Sequence, residues 1–501
     1  RPSFVFLLLL EMDHISDTVD HLRSHLSVAR SIEHRRSELK KFLAGVRDPR
    51  TVAELCEATQ ADLGKSRGET YLTELVMLEN DIVEALNNLD EWTADQPPEG
   101  SLTLMDRLNK PMVHRDPLGV ILNIVPWNYP LQLALVPLVG SIAAGNAMVI
   151  KPSELAPASA EALERFVERH LDPDTTAVVQ GAVPETTHLL EKCVFDHILY
   201  TGAPFVAKIV MRAAAENLTP VTLELGGKSP TIVASDAAID VAARRIAWGR
   251  FLNAGQTCLA ADYVLVPAAQ KERLMAGIVA TLAEFYGDNP ADSPDYGHII
   301  NERHHQRLTA ILKKDRKYIH VGGEADEDTL YIAPTLLDLP SLKVAKSAAS
   351  MQEELFGPLL PVITCETVEE AIAFVNSQPK PLALYVFTEN KATARRVVNE
   401  TSSGSLLVND TLMQATCSAL PFGGVGNSGM GAYHGVHSFR TFSHAKSMMM
   451  KDTSLEAANK IRYPPYTDTK LSILSTLGVR GLRRIPPQLA TILQASAVVA
   501  I

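Results

Sequence analysis

Short apolar runs alternate with helix-like stretches over most of this chain, and this alternation limits its fold more than any other feature. The strand-like runs of the first series are Gly119 to Val125, Ala147 to Lys151, Ala177 to Gln180, His197 to Thr201 and Val221 to Leu225. Helix-like stretches such as Pro130 to Ala144 lie between them. Since helical crossovers join parallel strands, the series predicts a doubly wound parallel sheet.

A second series follows the first. Its strand candidates are Thr231 to Ala234 and Tyr263 to Pro267, with the long helix Ala238 to Asn253 between them. After Ser402 the sequence is rich in glycine and β formers, and Ser438 to Lys451 predicts an extended arm. The predicted fold class is therefore α/β, with two doubly wound parallel-sheet domains and a small β element for bridging or oligomerisation.

Composition and charge exclude several classes of protein. Of the 501 residues, 46% are hydrophobic and 21% are charged, which is typical of a globular chain. The formal net charge of -11 argues against a nucleic-acid partner. The five cysteines contain no C-x-x-C pair, so we expect no disulfide framework, no metal site and a cytoplasmic location. The apolar run Phe4 to Leu10 is short and acidic residues follow it, so we expect no signal peptide.

Polar side chains and glycines stand where the predicted parallel strands end, which is where open α/β sheets bind their ligands. These segments are Pro126-Trp127-Asn128-Tyr129-Pro130, Lys151-Pro152-Ser153-Glu154, Thr201-Gly202 and Glu224-Leu225-Gly226-Gly227-Lys228. The second of them is also compatible with an exposed helix entry capped by Ser153. Their shared location favours a ligand site.

One cysteine and one glutamate are the candidates for chemistry. Cys258 follows the long helix of the second series in a loop that contains Gly255. A lone cysteine is usually a small buried hydrophobe, and no histidine stands in a recognisable Cys-His arrangement near it. Glu224 is the candidate base, because a carboxylate inside an apolar strand is poorly hydrated and its pKa is raised.

A set of motifs between residues 20 and 465 resembles the aldehyde dehydrogenase superfamily, in the family's order. The motifs are Pro126-Trp127-Asn128-Tyr129-Pro130, Lys151-Pro152-Ser153-Glu154, Leu223-Glu224-Leu225-Gly226-Gly227-Lys228-Ser229-Pro230, Gly255-Gln256-Thr257-Cys258, Glu354-Leu355-Phe356-Gly357-Pro358 and Pro421-Phe422-Gly423-Gly424-Val425-Gly426-Asn427-Ser428-Gly429. The stretch Gly429-Met430-Gly431-Ala432-Tyr433-His434-Gly435 is most similar to the class 3 and fatty aldehyde dehydrogenase branch.

The resemblance implies an NAD(P)-dependent oxidation of an aldehyde to a carboxylic acid. Cys258 would attack the carbonyl, and the Asn128 amide and the Cys258 N–H would hold the oxyanion. The thiohemiacetal would become a thioester, and Glu224 would activate the water that releases the acid. The expected catalytic residues are Cys258, Glu224 and Asn128, and no metal is expected.

The resemblance also implies NAD as the cofactor, with NADP possible. The expected cofactor contacts are Trp127, Lys151, Ser153, Glu154, Thr201, Gly202, Leu225, Gly226, Glu354 and Phe356. Glu154 favours NAD because its charge repels a 2′-phosphate. The sequence departs from the family's pattern at Ala203, Pro204 and Ala207, where a hydroxyl and a glycine are usual. We therefore expect a weaker pyrophosphate contact beside Gly202.

The resemblance assigns a role to each domain. Residues 14–97 and 115–225 are the predicted modified Rossmann cofactor domain, and residues 226–402 are the predicted catalytic domain. Residues 98–114 and 403–451 are the predicted bridging element, through which this branch tends to form homodimers. In the tail, residues 452–501, a basic cluster precedes the uncharged segment Gln488 to Ile501, which is too short to span a bilayer alone. It suits attachment to the cytosolic face of an internal membrane, and a docking helix is the alternative.

The expected substrate is an apolar aldehyde of the medium- or long-chain fatty, aromatic or apocarotenoid type. Tyr71, Trp127 and Thr257 are candidates for the walls of its channel. The alternatives are a cysteine-dependent esterase or acyl transferase, a CoA-acylating variant and a catalytically silent member of the same scaffold. The presence of Glu224 favours the free acid over a CoA ester, and intact catalytic residues argue against silence.

Overall fold

The computed structural model describes residues 4–103, 106–107, 109–451, 453 and 456–478. Its strands, in chain order, are β1 (Pro111–Pro117), β2 (Val120–Ile124), β3 (Ala147–Lys151), β4 (Thr176–Val178), β5 (His197–Thr201), β6 (Val221–Glu224), β7 (Pro230–Val233), β8 (Tyr263–Val266), β9 (Ile319–Val321), β10 (Ala325–Asp326), β11 (Tyr331–Ile332), β12 (Thr335–Leu339), β13 (Leu359–Thr364), β14 (Ala383–Phe387), β15 (Ser405–Val408), β16 (Gly429–Met430) and β17 (Ser443–Met449).

The α-helices of the same residues are α1 (Phe4–Ser24), α2 (Leu26–Ala29), α3 (Ile32–Arg47), α4 (Pro49–Leu63), α5 (Arg67–Thr70), α6 (Val76–Thr93), α7 (Gln132–Ala144), α8 (Pro157–His170), α9 (Val183–Lys192), α10 (Pro204–Glu216), α11 (Ile239–Phe251), α12 (Ala268–Tyr286), α13 (Glu302–Lys314), α14 (Leu342–Ala345), α15 (Val368–Asn376), α16 (Lys391–Glu400), α17 (Gly435–Thr441), α18 (Glu456–Asn459) and α19 (Asp468–Gly478). A single π-helical turn, Tyr71–Leu75, joins α5 to α6.

The chain divides into two compact units, Arg1–Trp92 with Pro117–Ser443, and Thr93–Asp116 with His444–Ile501. The first unit contains both large sheets. The second carries the two-stranded sheet of β1 and β17. The arm expected from Ser438 to Lys451 is extended only over Ser443–Met449, because Ser438 lies in the helix Gly435–Thr441. The predicted α/β fold class is confirmed.

The first large sheet has the order β16-β6-β5-β2-β3-β4. Strands β2 to β6 are mutually parallel and correspond to the five predicted runs, whereas β16 is an antiparallel edge strand. Helices cover both faces, so neighbouring side chains such as Ile121 and Leu122 enter different apolar cores. The strand order reverses between β2 and β5, and ligands of doubly wound sheets bind beyond the strand ends at such a point.

The second large sheet has the order β15-β14-β7-β8-β13-β12-β9, with only β9 antiparallel among these strands. One expectation was wrong in detail, because Ser405–Val408 was assigned to the bridging element. These residues form β15 and pair with β14, since Leu406 and Leu407 continue the apolar surface of the sheet. The functional roles of the two sheets remain predictions.

The tail is described only in part. Gln488 to Ile501 and the basic residues before them lie outside the described residues. Among the described residues, no helix combines the length and the apolarity needed to cross a bilayer.

Candidate active site

The loop that carries Cys258 begins where α11 ends. Asn253 and Ala254 adopt left-handed backbone angles, with φ of 53° and 49°, and Gly255 follows with φ of 75°. Left-handed angles cost non-glycine residues roughly 1–2 kcal/mol each, so the surrounding contacts must hold them. A side chain at Gly255 would come within 2.3 Å of the Gly357 carbonyl oxygen, which explains the glycine. The chain thereby reverses just before Cys258.

The Gln256 side chain holds this loop through hydrogen bonds of both its amide nitrogen and its amide oxygen. Its carboxamide nitrogen donates to the carbonyls of Asn253 at 3.1 Å and His298 at 3.0 Å. Its oxygen accepts the Ile300 N–H at 3.0 Å. Because this amide is fully buried and paired at both ends, it fixes the backbone two residues before the thiol.

Asn128 lies against the same loop. It follows β2 beyond the strand's carboxyl end and is buried. Its side-chain nitrogen donates to the Gln256 carbonyl at 2.9 Å, and its own carbonyl accepts hydrogen bonds from Asn253 at 2.8 Å and Lys65 at 2.9 Å. The structure therefore brings Asn128 to the backbone that carries Cys258.

Glu224 ends β6 and is 98% buried. Neither of its carboxylate oxygens has a hydrogen-bond partner among the described residues, and burial raises its pKa well above the ordinary value. The antiparallel strand β16 covers this edge, with Gly429 opposite Glu224. The next N–H, of Leu225, donates to the Ser428 carbonyl at 3.0 Å, so the loop before β16 holds the strand end.

The surroundings of the Cys258 thiol oppose its ionisation. Burial chiefly, and then the nearby carboxylates of Glu354 and Glu224, raise its pKa to about 12. The N–H groups of Cys258 and Leu259 act in the opposite direction. The thiol must therefore lose its proton before it can attack.

Glu354 occupies space that a glycine leaves open. A side chain at Gly226 would come within 2.1 Å of a Glu354 carboxylate oxygen. Burial raises the Glu354 pKa to about 8, although the Gly227 N–H and the cations of Lys228 and Arg250 lower it. One carboxylate oxygen has no partner within the described part of the chain. We call the space beside Gly226 the Gly226 cradle. A carboxylate oxygen without a partner in this cradle fits a ribose hydroxyl.

A buried charge network holds the segment that contains Glu354. Asp262 accepts hydrogen bonds from Arg250 at 2.7 Å and from Lys228 at 2.5 Å. The Leu355 N–H also donates to Asp262, at 3.3 Å. The sequence analysis missed Asp262 and Arg250, because nothing in their local pattern distinguishes them from exposed charges.

Two aromatic rings meet beside this segment. The rings of Trp127 and Phe356 lie 5.3 Å apart at 83°, and His304 packs on the other side of Trp127 at 5.3 Å. Phe356 adopts a left-handed φ of 48° to reach this position. Of the other candidate channel residues, Thr257 shares a 2.6 Å hydrogen bond with the Tyr129 hydroxyl and Tyr71 is exposed.

Lys151 and Glu154 stand together at the carboxyl end of β3. The Lys151 ammonium is buried, which lowers its pKa, and it lies 3.7 Å from the Glu154 carboxylate. Ser153 accepts the Leu155 N–H at 3.2 Å and does not cap a helix, since α8 begins later, at Pro157. A cation and a carboxylate at a strand end can together bind vicinal hydroxyls.

Thr201 ends β5, and Gly202 follows it. The Gly202 N–H donates to the Glu224 carbonyl at 3.0 Å, so this N–H is already used. A side chain at Gly202 would meet the Tyr200 hydroxyl at 2.4 Å, which explains the glycine without a ligand. Pro204 starts α10, and no side-chain hydrogen bond caps this helix. The weaker pyrophosphate contact beside Gly202 remains a prediction.

This geometry is accompanied by a family match. The profile of the aldehyde dehydrogenase family matches residues 25–448. This chain is a member of the aldehyde dehydrogenase family. The enzyme is an oxidoreductase that acts on aldehydes with NAD(P), and the esterase and silent-scaffold alternatives are not favoured.

Relatives of this aldehyde dehydrogenase belong to the predicted branch. It is 49% identical to mouse "Aldehyde dehydrogenase family 3 member A2", over 84% of this chain and 85% of the relative. Rat "Aldehyde dehydrogenase, dimeric NADP-preferring" is 43% identical over 91% and 98% of the two chains. The "4,4'-diaponeurosporen-aldehyde dehydrogenase" of Staphylococcus aureus is 45% identical over 87% and 93%. A solved structure described as "Substrate bound state of Staphylococcus Aureus AldH" matches with a TM-score of 0.87 and 42% identity, covering 93% of this chain and 99% of that one.

In this aldehyde dehydrogenase Asn128 contacts the loop that carries Cys258, and the Glu224 carboxylate is near enough to influence the thiol. The catalytic roles of these residues remain predictions. The sequence analysis missed the buried groups that hold the set, Lys65, Glu74, Asn253 and Gln256. Lys65 and Glu74 stand in a helix-like stretch and resemble exposed helix charges. The motif context pointed to Gln256 only as a neighbour of Cys258.

Proposed function

We propose that this aldehyde dehydrogenase oxidises apolar aldehydes through a covalent adduct on Cys258. The observation that supports this most is the Asn128 amide bonded to the Gln256 carbonyl, two residues before Cys258. Asn128 has a second N–H on the same nitrogen, which is available for an oxyanion. That N–H and the Cys258 N–H are the proposed oxyanion donors.

The proposed reaction has two stages. The Cys258 thiol loses its proton to solvent, its sulfur bonds to the carbonyl carbon, and the oxygen becomes an oxyanion. NAD(P), when bound, would supply the hydride acceptor. Glu224 then takes a proton from water, whose oxygen attacks the thioester carbon, and the carbon–sulfur bond breaks to give the acid and the free cysteine.

The residues present fit a dinucleotide. Lys151 and Glu154 would bind the adenosine ribose, and Glu354 in the Gly226 cradle would bind the nicotinamide ribose. Val183 and Phe205 are exposed apolar residues at the starts of α9 and α10, which suits an adenine ring. Trp127, Ser153, Thr201, Gly202, Leu225 and Phe356 remain proposed contacts. We propose NAD as the preferred cofactor because Glu154 would repel a 2′-phosphate, although one relative is named NADP-preferring.

The apolar substrate class is supported by a relative. The carotenoid-derived aldehyde in the name of the Staphylococcus aureus enzyme is long and apolar, and that enzyme is 45% identical to this one. The dimeric relative likewise supports a homodimer. Contact of the tail with a cytosolic membrane face rests on sequence alone, and a full-length enzyme found wholly in the soluble fraction would contradict it.

A substrate panel tests the substrate and cofactor proposals. Saturated aldehydes of increasing length and an apocarotenoid aldehyde would be assayed with NAD and with NADP, and kcat/KM measured for each. We expect kcat/KM to rise with chain length, by roughly 3- to 4-fold per buried methylene while it contacts the channel, and to be higher with NAD. A preference for short polar aldehydes would contradict the substrate class.

A further inference from the structure

One short segment places three ionisable side chains inside the protein beside the oxyanion donors. Residues 65–75 contain the turn after α4, helix α5 and the π-helical turn Tyr71–Leu75. Lys65 and Glu74 are 0% exposed, and one Glu69 oxygen is buried without a partner among the described residues. Single π-helical turns occur preferentially at functional sites. Burying charges this deeply costs desolvation free energy. We therefore ask whether these side chains fix the geometry of the oxyanion donors.

Lys65 and Glu74 hold the turn that carries Asn128. The Lys65 ammonium bonds to Glu74 at 2.8 Å and to the Asn128 carbonyl at 2.9 Å, and it lies 3.9 Å from the centre of the Tyr129 ring. The other Glu74 oxygen accepts the Leu131 N–H at 2.9 Å. The turn is therefore fixed on both sides of Asn128.

Glu74 also accepts the Gln132 N–H, at 3.1 Å, where α7 begins. A carboxylate at a helix N-terminus is favoured by the helix dipole and by the free N–H groups there. One buried pair thus connects the start of α7 to the Asn128 backbone.

Asn253 bonds to the same carbonyl as Lys65. It stands at the start of the left-handed turn before Cys258, and its side chain donates to the Asn128 carbonyl at 2.8 Å. The Asn128 carbonyl therefore accepts one hydrogen bond from Lys65 and one from the loop that leads to Cys258.

We propose that Lys65 and Glu74 form the positioning pair of the oxyanion site and orient the Asn128 amide. They are positioning residues, because they act through Asn128. The inference rests on the proposed oxyanion role of Asn128. The inference adds two residues that are distant from Cys258 in sequence. They would influence the rate at which the covalent adduct on Cys258 forms.

A double-mutant cycle tests the inference. The neutral pair Lys65→Met with Glu74→Gln keeps size without leaving a lone buried charge. We expect a fall in kcat of about 10- to 100-fold with a small change in aldehyde KM, because a misplaced donor fails mainly in the transition state. In an Asn128→Ala background the same pair should change kcat by less than about 3-fold, since its target is gone. An unchanged kcat, or an equal loss in both backgrounds, would overturn the inference.

Two controls keep the result interpretable. Lys271→Met removes another buried lysine, whose amine bonds to the Leu339 carbonyl and Thr364, and it should lower thermal stability without changing kcat. Asn128→Ala alone separates the two hypotheses. If it keeps wild-type kcat, the oxyanion assignment fails and the inference with it. If it loses activity while the Lys65 and Glu74 pair does not, only the inference fails.

Glu74→Gln alone gives a second test if the pair variant does not fold. It keeps an acceptor for the Leu131 and Gln132 N–H groups but removes the charge that pairs with Lys65. We expect kcat to fall by about 10-fold. A wild-type kcat in this variant would overturn the inference.

Discussion

The two sides of the site are built in opposite ways. On the oxyanion side, the Asn128 amide, its carbonyl and the Gln256 carboxamide are each hydrogen-bonded at 2.8–3.1 Å. On the acid–base side, Glu224 has no partner among the described residues and Glu354 has one orphaned oxygen. A fully hydrogen-bonded network cannot readily move, whereas an unpaired carboxylate can gain or lose a proton and change its rotamer. One side is therefore suited to fixing geometry, and the other is suited to exchanging protons.

The largest effect should come from removing the sulfur. Cys258→Ala should abolish dehydrogenase turnover, because the covalent stages are lost, while leaving NAD binding intact. NADH absorbance and cofactor titration measure the two properties. Cys417→Ala is the matched control, since this thiol is exposed and should be dispensable. Appreciable NADH production by Cys258→Ala would remove the nucleophile assignment.

The acid–base side is tested next by Glu224→Gln. We expect steady-state turnover to fall by about 100-fold, because general-base catalysis typically contributes that much or more. A burst of NADH should persist under rapid mixing, since the base acts after the hydride has left. Glu354→Gln is the comparison, and its main defect should be weaker cofactor binding. If Glu354→Gln slowed acid release while Glu224→Gln did not, the two roles would have to be exchanged.

A smaller effect is expected from filling the glycine cradle. Gly226→Ala places a methyl group 2.1 Å from the present position of a Glu354 oxygen, so the carboxylate must move. We expect the Kd for NAD to rise by about 10-fold, as for the loss of one charge-assisted hydrogen bond. Titration of the cofactor by fluorescence quenching measures it. An unchanged Kd would show that the cradle does not contact the cofactor.

The smallest effect concerns stability and pH. The folded pKa of Glu69 is about 7, above its ordinary value of 4.5, chiefly because of burial, with Glu74 and Asp295 also raising it and Lys65 lowering it. The folded state then binds more protons than the unfolded state between these values, so stability should fall as pH rises from about 4.5 to 7. Glu69→Gln should reduce this fall and raise Tm at pH 8 by about 2 °C. Asp81, whose folded pKa is also about 7, should account for a separate part of the same slope.

The sequence predicted the sheets better than the polar contacts within the site. Strands β2 to β6 come from largely apolar runs. Such runs are typical of strands in a sheet that is buried on both faces. Ser405–Val408 was assigned to the bridging element because the sequence after Ser402 is rich in glycine. Two adjacent leucines were too weak a signal for a strand of the large sheet. Cys258 itself was distinguishable from the other cysteines only through its motif.

Contacts such as Lys65 to Asn128 were not predictable from the sequence. They join residues far apart along the chain, and a buried lysine has the same local pattern as an exposed one. The left-handed turn at Asn253 and Ala254 was also not predictable from the sequence, because neither residue type requires such backbone angles.

The most direct test is to trap the acyl-enzyme. Glu224→Gln would be mixed with NAD and a medium-chain aldehyde, quenched in acid, digested and analysed by mass spectrometry. We predict an acyl group on the peptide that contains Cys258, at a stoichiometry equal to the NADH burst. An NADH burst with no acyl group on Cys258, or an acyl group on another cysteine, would contradict the account.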